Sequence, residues 1–247
     1  MTLRITVLGS SGSYPSPGGA CSGYLVEGAG TKLWVDAGSG TFANLQRHIT
    51  DLASIDGIIL SHAHPDHWAD VLGYQVVLRY IHKREGVPAF GPPDLHVLLE
   101  AVHGPTGPQL DWTSVSDGMR ATVGGMQLTF SRTDHQGETY AVRIDADGAS
   151  LGYSADTGSE WTLSALGPGL DMALCEATLE PEGQGSLPHL TAAEAGAAGR
   201  EAGVRRLVLT HFQPGVDVER ARVLGSEAFG APVEVATEGA CFEVTTS

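Results

Sequence analysis

The segment His62-Ala63-His64-Pro65-Asp66-His67 places three imidazoles and a carboxylate within six residues. In a chain of 247 residues with 10 histidines, an HxHxDH pattern arises by chance roughly once per thousand such chains. Alternating His62 and His64 can direct their rings to one side of an extended turn, while Asp66 and His67 turn onto the next face. Such a loop can feed two metal ions at once, but it cannot complete two sites. The missing ligands must come from other strand ends, and three candidates stand directly after apolar runs: His135 after residues 127–132, Asp156 after the run ending at Ser154, and His211 after residues 206–210. Four neutral imidazoles, one terminal carboxylate and one bridging carboxylate suit zinc, and manganese or iron also fits by ligand type. Asp156 precedes a Thr-Gly pair, so an Asx turn is the competing reading for it.

These residues need elements that bring them to one rim. Gly is frequent (33 residues) and falls mostly between short apolar runs, which predicts many brief elements joined by tight turns. Residues 3–8, 23–27 and 32–36 read as strands of a meander, the first running into the Gly/Ser/Pro-rich stretch that ends at Ala20. Residues 55–60 form a continuous apolar run, as expected of a strand buried on both faces, and end in the Ser61–His64 cluster. Residues 71–81 carry helical spacing, with Arg79, Lys83 and Arg84 at the C-terminal end. Strands follow at 127–132, 140–145, 150–153 and 171–175. A capping-box helix starts at Thr191 with Glu194 three residues on and stops at Gly203. A strand at 206–210, a helix at 217–229 and two short strands close the chain. This order predicts an α/β protein with two mixed sheets sandwiched between helices, in one domain spanning 1–247.

Composition limits the function. Lys+Arg number 14 against 29 Asp+Glu, a formal net charge of −15, so a surface that grips nucleic-acid phosphates is not expected. Cys21, Cys175 and Cys241 are odd in number and contain no CxxC, which fits a reducing compartment and excludes a cysteine-rich zinc site. No stretch of 18 apolar residues occurs. The expectation is a soluble cytoplasmic protein without a membrane partner.

The pattern resembles the metallo-β-lactamase superfamily, from the first strand to His211, and within it the ribonuclease Z-like phosphodiesterases. It is most similar to short bacterial cyclic-nucleotide phosphodiesterase-like proteins. The narrower likeness rests on Val7–Ser13, Ser61–His67, Tyr153–Gly158, Leu174–Ala177, His189-Leu190-Thr191 with Glu194–Gly196, and Leu209–His211. The resemblance implies the four-layer αββα sandwich and two divalent ions. His62, His64 and His135 would bind one; Asp66, His67 and His211 would bind the other; Asp156 would bridge them. Ions roughly 3.5–4 Å apart share a bridging water, lower its pKa and stabilise phosphoryl charge, and Asp66 beside that water could take its proton. The resemblance also makes His189 the acid that protonates the leaving oxygen, oriented by Glu176 and supported by Thr191. Asp at position 156 separates this type from zinc β-lactamases, which commonly carry Cys there.

Transfer-RNA-processing members of this branch carry an exosite arm, usually inserted between the segments matching His135 and Asp156. Here only 20 residues separate the two, room for a hairpin. The expected substrate is therefore a small phosphodiester such as a cyclic nucleotide, with long nucleic acid disfavoured. A tRNA 3′ endonuclease, a hydrolase of another ester, thioester or lactone, and a binding module with structural metals are the alternatives. A homodimer is expected by analogy. Arg79 and Lys83 read as a solvated helix end, with contact to substrate phosphate as the competing role.

Overall fold

A computed structural model describes residues 2–246. Its fourteen strands and five α-helices are arranged so that one edge collects the ends of many strands. The first sheet contains β1 (Leu3–Gly9), β2 (Gly23–Gly28), β3 (Thr31–Ala37), β4 (Gly57–Ile59), β5 (Val87–Gly91), β6 (Leu110–Ser114) and the C-terminal β14 (Cys241–Val244). They are ordered β14-β1-β2-β3-β4-β5-β6. The second contains β7 (Arg120–Val123), β8 (Met126–Arg132), β9 (Tyr140–Ala146), β10 (Ala149–Tyr153), β11 (Met172–Glu176), β12 (Arg206–Thr210) and β13 (Glu234–Val235). Their order is β13-β12-β11-β10-β9-β8-β7.

Three apolar clusters show the layering. Between the sheets lie Ile5, Tyr24, Val26, Val35, Phe130, Val142, Leu174 and Val208. On the outer face of the first sheet, Trp34, Ile58 and Leu60 pack with Leu45 of α1 (Thr41–His48), Tyr74 of α2 (Val71–Val76) and Leu99 of α3 (Pro93–His103). On the outer face of the second, Ala173, Leu207 and Leu209 pack with Ala195 of α4 (Ala192–Glu201) and Phe229 of α5 (Val218–Phe229). Alternation along each strand divides the two sets: Tyr24 and Val26 point inward while Leu25 faces the helices, as the period of two requires. The result is helix, sheet, sheet, helix, as the four-layer expectation had it.

Pairing directions explain why strand ends meet. β1 and β3 are both antiparallel to β2, and β4 is parallel to β3. In the other sheet β8 and β10 are both antiparallel to β9, while β10, β11 and β12 are mutually parallel. The C-terminal ends of β1, β3 and β4 therefore share one edge, as do those of β8, β10, β11 and β12. Cross-sheet bonds hold the two edges together: the Tyr24 hydroxyl is 2.6 Å from Thr210 Oγ1, and the Tyr140 amide donates to the Ser61 carbonyl at 3.1 Å.

The capping box at α4 is present, with Thr191 and Glu194 bonded reciprocally, and Asp217 caps α5 through the Arg220 amide. The turn after β9 is the two-residue Asp147-Gly148, both at positive φ, the type I′ geometry that suits a hairpin. Two boundaries change: the strand read over 55–60 is only Gly57–Ile59, and a helix divides. The segment read as a single helix over 71–81 is α-helical only to Val76 and continues as a π-helical turn over Val77–His82. An i→i+5 turn is invisible to a 3.6-residue pattern. No helix among the described residues is long and apolar enough to cross a membrane.

Candidate metal centre

The HxHxDH loop leaves β4 through Leu60, whose amide bonds the Phe90 carbonyl, and folds into a short 3-10 turn at Pro65–His67. All seven residues expected to be ligands come together there with buried or half-buried side chains. They form two lobes. In the first, His62 Nε2 lies 3.0 Å from His64 Nδ1, which lies 3.3 Å from His135 Nε2. Asp156 Oδ2 is 3.6 Å from His62 Nε2 and 3.8 Å from His135 Nε2. In the second, His67 Nε2 and His211 Nε2 are 3.1 Å apart, and Asp66 Oδ2 is 3.4 and 3.3 Å from them. Asp156 Oδ1 closes this lobe at 3.3 and 3.4 Å. One carboxylate thus gives one oxygen to each lobe.

Partners behind the rings decide which nitrogens face inward. Ser61 Oγ donates to Asp36 Oδ2 (2.9 Å), so it accepts from His62 Nδ1 at 3.0 Å. Asp36 Oδ2 accepts from His67 Nδ1 at 2.7 Å. The Pro188 carbonyl accepts from His135 Nδ1 at 2.9 Å. Thr178 Oγ1 donates to Glu176 Oε2 (2.6 Å) and so accepts from His211 Nδ1 at 2.8 Å. With every one of these Nδ1 atoms protonated, each neutral ring aims an Nε2 lone pair into the cluster. Lone pairs 3.1 Å apart beside carboxylate oxygens repel unless a proton or a metal ion lies between them.

The donor set fits divalent ions. Bonds of about 2.05 Å in a tetrahedron separate the ligand atoms by about 3.3 Å, close to the spacings above. Asp156 Oδ1 is buried without a hydrogen-bond partner, a cost that a bound cation removes. The electrostatics agree. Burial opposes ionisation of Asp156 and Asp66, but His211 and His67 around them hold both carboxyls well below the usual range. Burial drives His62 well below an ordinary imidazole and lowers His135, which keeps both neutral and able to ligate. His67 goes the other way: burial disfavours its charge, but Asp156, Asp66 and Asp36 draw a proton to it. The same three carboxylates would attract a metal ion.

Strain marks the site. Asp36, Ala155 and His211 have φ of 51°, 51° and 59°, values that residues with side chains adopt at some cost. The Gly-rich loop after β1 walls the cleft. The Ser13 amide donates to Asp66 Oδ2 at 2.8 Å. At Gly12 a Cβ would stand 2.5 Å from the His211 carbonyl and 2.9 Å from its Nδ1, so no larger residue fits without displacing His211.

His189 lies at the rim, its ring centroid 4.8 Å from that of His135 and 5.7 Å from that of His211. Its Nδ1 donates to Glu176 Oε1 at 3.0 Å. Glu176 also accepts from the Thr157 amide, the Leu190 amide and Thr178 Oγ1, so it is fixed as an acceptor. Burial works against charge on His189, yet the bond to Glu176 and the charges of Glu176 and Asp156 raise its pKa. Thr191 lies beside this pair, but its hydroxyl engages Glu194, so it supports His189 only by fixing the start of α4.

Four contributors were not read from the sequence as site residues: Asp36, Thr178, the Tyr153 hydroxyl, which donates to Asp36 Oδ2 at 2.7 Å, and the Pro188 carbonyl. Asp36 carried one signal, a carboxylate ending an apolar strand. The Arg79 guanidinium donates to Gln109 Oε1 and the Pro105 carbonyl, and Arg84 to the Ile55 carbonyl, the contacts of a tethered helix end. Cys21 sits near the cleft, where burial and Asp66 push its thiol up to about 12, leaving it inert.

Two sheets with helices outside and a His/Asp cluster at the strand ends define a metallo-β-lactamase fold with a metal-binding centre. The sequence profile described as beta-lactamase superfamily domain matches residues 31–212, and the chain belongs to that family. An uncharacterized protein of Mycobacterium leprae is 38% identical, covering 99% of this chain and 89% of its own length. Ribonuclease Z of Mycobacterium bovis is 27% identical, covering 96% of both chains. The crystal structure of the metallo-beta-lactamase fold protein YhfI from Bacillus subtilis matches with a TM-score of 0.88 at 27% identity, covering 98% of this chain and 100% of that one. Membership supports a hydrolase.

Proposed function

We propose that the protein is a binuclear-metal-dependent hydrolase of small phosphodiesters, with a cyclic nucleotide as the type of substrate. The observation that carries this reading is the pair of donor lobes shared through Asp156, with the His189–Glu176 pair at their rim. In it His62, His64 and His135 hold one ion; Asp66, His67 and His211 hold the other; Asp156 holds both. When bound, two such ions, zinc by donor set or manganese or iron, supply Lewis-acid charge and an acidified water for attack at phosphorus.

The chain's own groups divide the remaining work. Asp66, held ionised and oriented by the Ser13 amide, accepts the proton of the attacking water. His189 keeps Nδ1 on Glu176, which leaves Nε2 to give its proton to the departing oxygen. Its raised pKa favours the protonated form that such an acid needs. Asp36 and Thr178 hold His67 and His211 in the ligating tautomer.

Similarity to proteins named ribonuclease Z and probable metallo-hydrolase supports hydrolysis of a phosphodiester. The segment between His135 and Asp156 contains only the β9–β10 hairpin, and the charge of −15 disfavours a long polyanion, both of which support a small substrate. The 27% identity to ribonuclease Z over 96% of both chains favours the second reading, a tRNA 3′ endoribonuclease. Metal-loaded protein given cyclic AMP and precursor tRNA in parallel distinguishes them. Faster turnover of cyclic AMP is expected; much faster cleavage of the precursor would replace the first reading with the second.

A further inference from the structure

A cavity of about 400 Å³ opens beside His189, within the size range of small-ligand pockets. Its walls come from two directions. Asp134 and Glu160 stand on one side, and the loop residues Ser186, Leu187 and Pro188 on the other, with Glu194 completing the lining. Leu187 is 55% exposed, an apolar side chain open to solvent in the wall of a polar cavity. No lysine or arginine lines it among the described residues. The loop wall is fixed to the metal centre, because the Pro188 carbonyl accepts from His135 Nδ1. The opposite wall is fixed as well, since Asp134 Oδ2 accepts from the Glu160 amide at 3.2 Å.

We propose that this cavity is the leaving-group subsite, and that it selects a nucleoside-like alcohol carrying no further phosphate. The inference rests on the phosphodiesterase reading above. In that reading His189 protonates the departing oxygen, so the group that departs is seated on the His189 side, where the cavity is. The lining then sets the chemistry. Carboxylates offer acceptors to hydroxyl and amino donors, and Leu187 with Pro188 offers an apolar surface to a planar ring. A second phosphate would meet Asp134, Glu160 and Glu194 without a cation. Like charges about 6 Å apart at an effective dielectric constant of about 40 weaken binding by roughly tenfold per pair.

The test uses the full chain loaded with manganese or zinc and three substrates: ApA, and ApA phosphorylated at its 5′ or at its 3′ end. Products identify which nucleoside departs. A phosphate on the departing nucleoside should lower kcat/KM by about tenfold or more, and a phosphate on the other nucleoside should lower it far less. Glu160→Gln, at an exposed position, should shrink that ratio by about tenfold. Equal kcat/KM for the two phosphorylated forms, or an unchanged ratio in the variant, overturns the subsite. Bis(p-nitrophenyl) phosphate separates the two levels. If the metal-loaded protein hydrolyses it while the dinucleotides show no discrimination, only the subsite fails. If it hydrolyses cyclic AMP but no dinucleotide, only the subsite fails; if it hydrolyses neither these phosphodiesters nor cyclic AMP, the phosphodiesterase reading fails and the subsite with it.

Discussion

Replacing Asp36 by Asn should weaken one metal ion far more than the other. Asp36 is wholly buried and binds no metal in the proposed centre. Its Oδ2 accepts from His67 Nδ1, Ser61 Oγ and Tyr153 OH, and its Oδ1 from the Ser61 amide. Asn keeps the volume but not the charge. Its carbonyl can replace only one of the two oxygens, and the amide NH₂ must then face a donor. The bond behind His67 falls from charge-assisted, about 1.5–3 kcal/mol, to neutral, about 0.5–1.5 kcal/mol. The imidazole becomes a poorer ligand as well, and such changes behind a metal-binding histidine typically cost 10–100-fold in affinity. The larger loss falls on the lobe of His67, His211 and Asp66, which Asp36 touches directly, and only a smaller one reaches His62 through Ser61. Protein stripped with a chelator and titrated with zinc against a chromophoric competitor should show two binding steps in the parent. In Asp36→Asn one step should weaken by about 10–100-fold, with far-ultraviolet circular dichroism unchanged. Two unaltered affinities would refute the claim that Asp36 sets the tautomer and basicity of His67.

Gly12→Ala should also weaken metal binding, because its Cβ would press on the His211 carbonyl and ring; unchanged affinity in the same titration contradicts this packing. Glu176→Gln removes the charge that raises His189. The protonated acid then persists to a lower pH than in the parent, so the basic limb of the kcat profile should move to lower pH; an unmoved limb contradicts the His189–Glu176 pairing. Away from the site, Trp34 is fully buried against Phe42 and Tyr74, and Trp34→Ala should cost about 3–5 kcal/mol in urea unfolding. A cost under about 1 kcal/mol would mean that the layer between the first sheet and its helices is not packed as described.

The sequence made the centre legible because metal ligation demands rare residue types at fixed spacing. His62 to His67 stand within one loop, and the partners follow strands that read as apolar runs. Asp36 was harder to recognise, since its meaning lies in Ser61, His67 and Tyr153, which converge only in the folded chain. The same holds for the Pro188 carbonyl, a backbone group that no side-chain pattern reports. Of the elements, Thr191 and Asp217 announced their helices through capping chemistry. Helix α1 begins at Gly40 with φ 95° and no side-chain cap, so it offered no start signal. β6 carries Asp111 and Thr113 beside Trp112, with only Leu110 buried; an edge strand of this kind lacks the apolar run that revealed β4.

Anomalous diffraction from crystals loaded with zinc or manganese bears most directly on the binuclear centre. Two peaks are expected, one within bonding distance of His62, His64 and His135, the other of Asp66, His67 and His211, with an Asp156 oxygen on each. A single peak, or two peaks that leave Asp156 unbound, would contradict it.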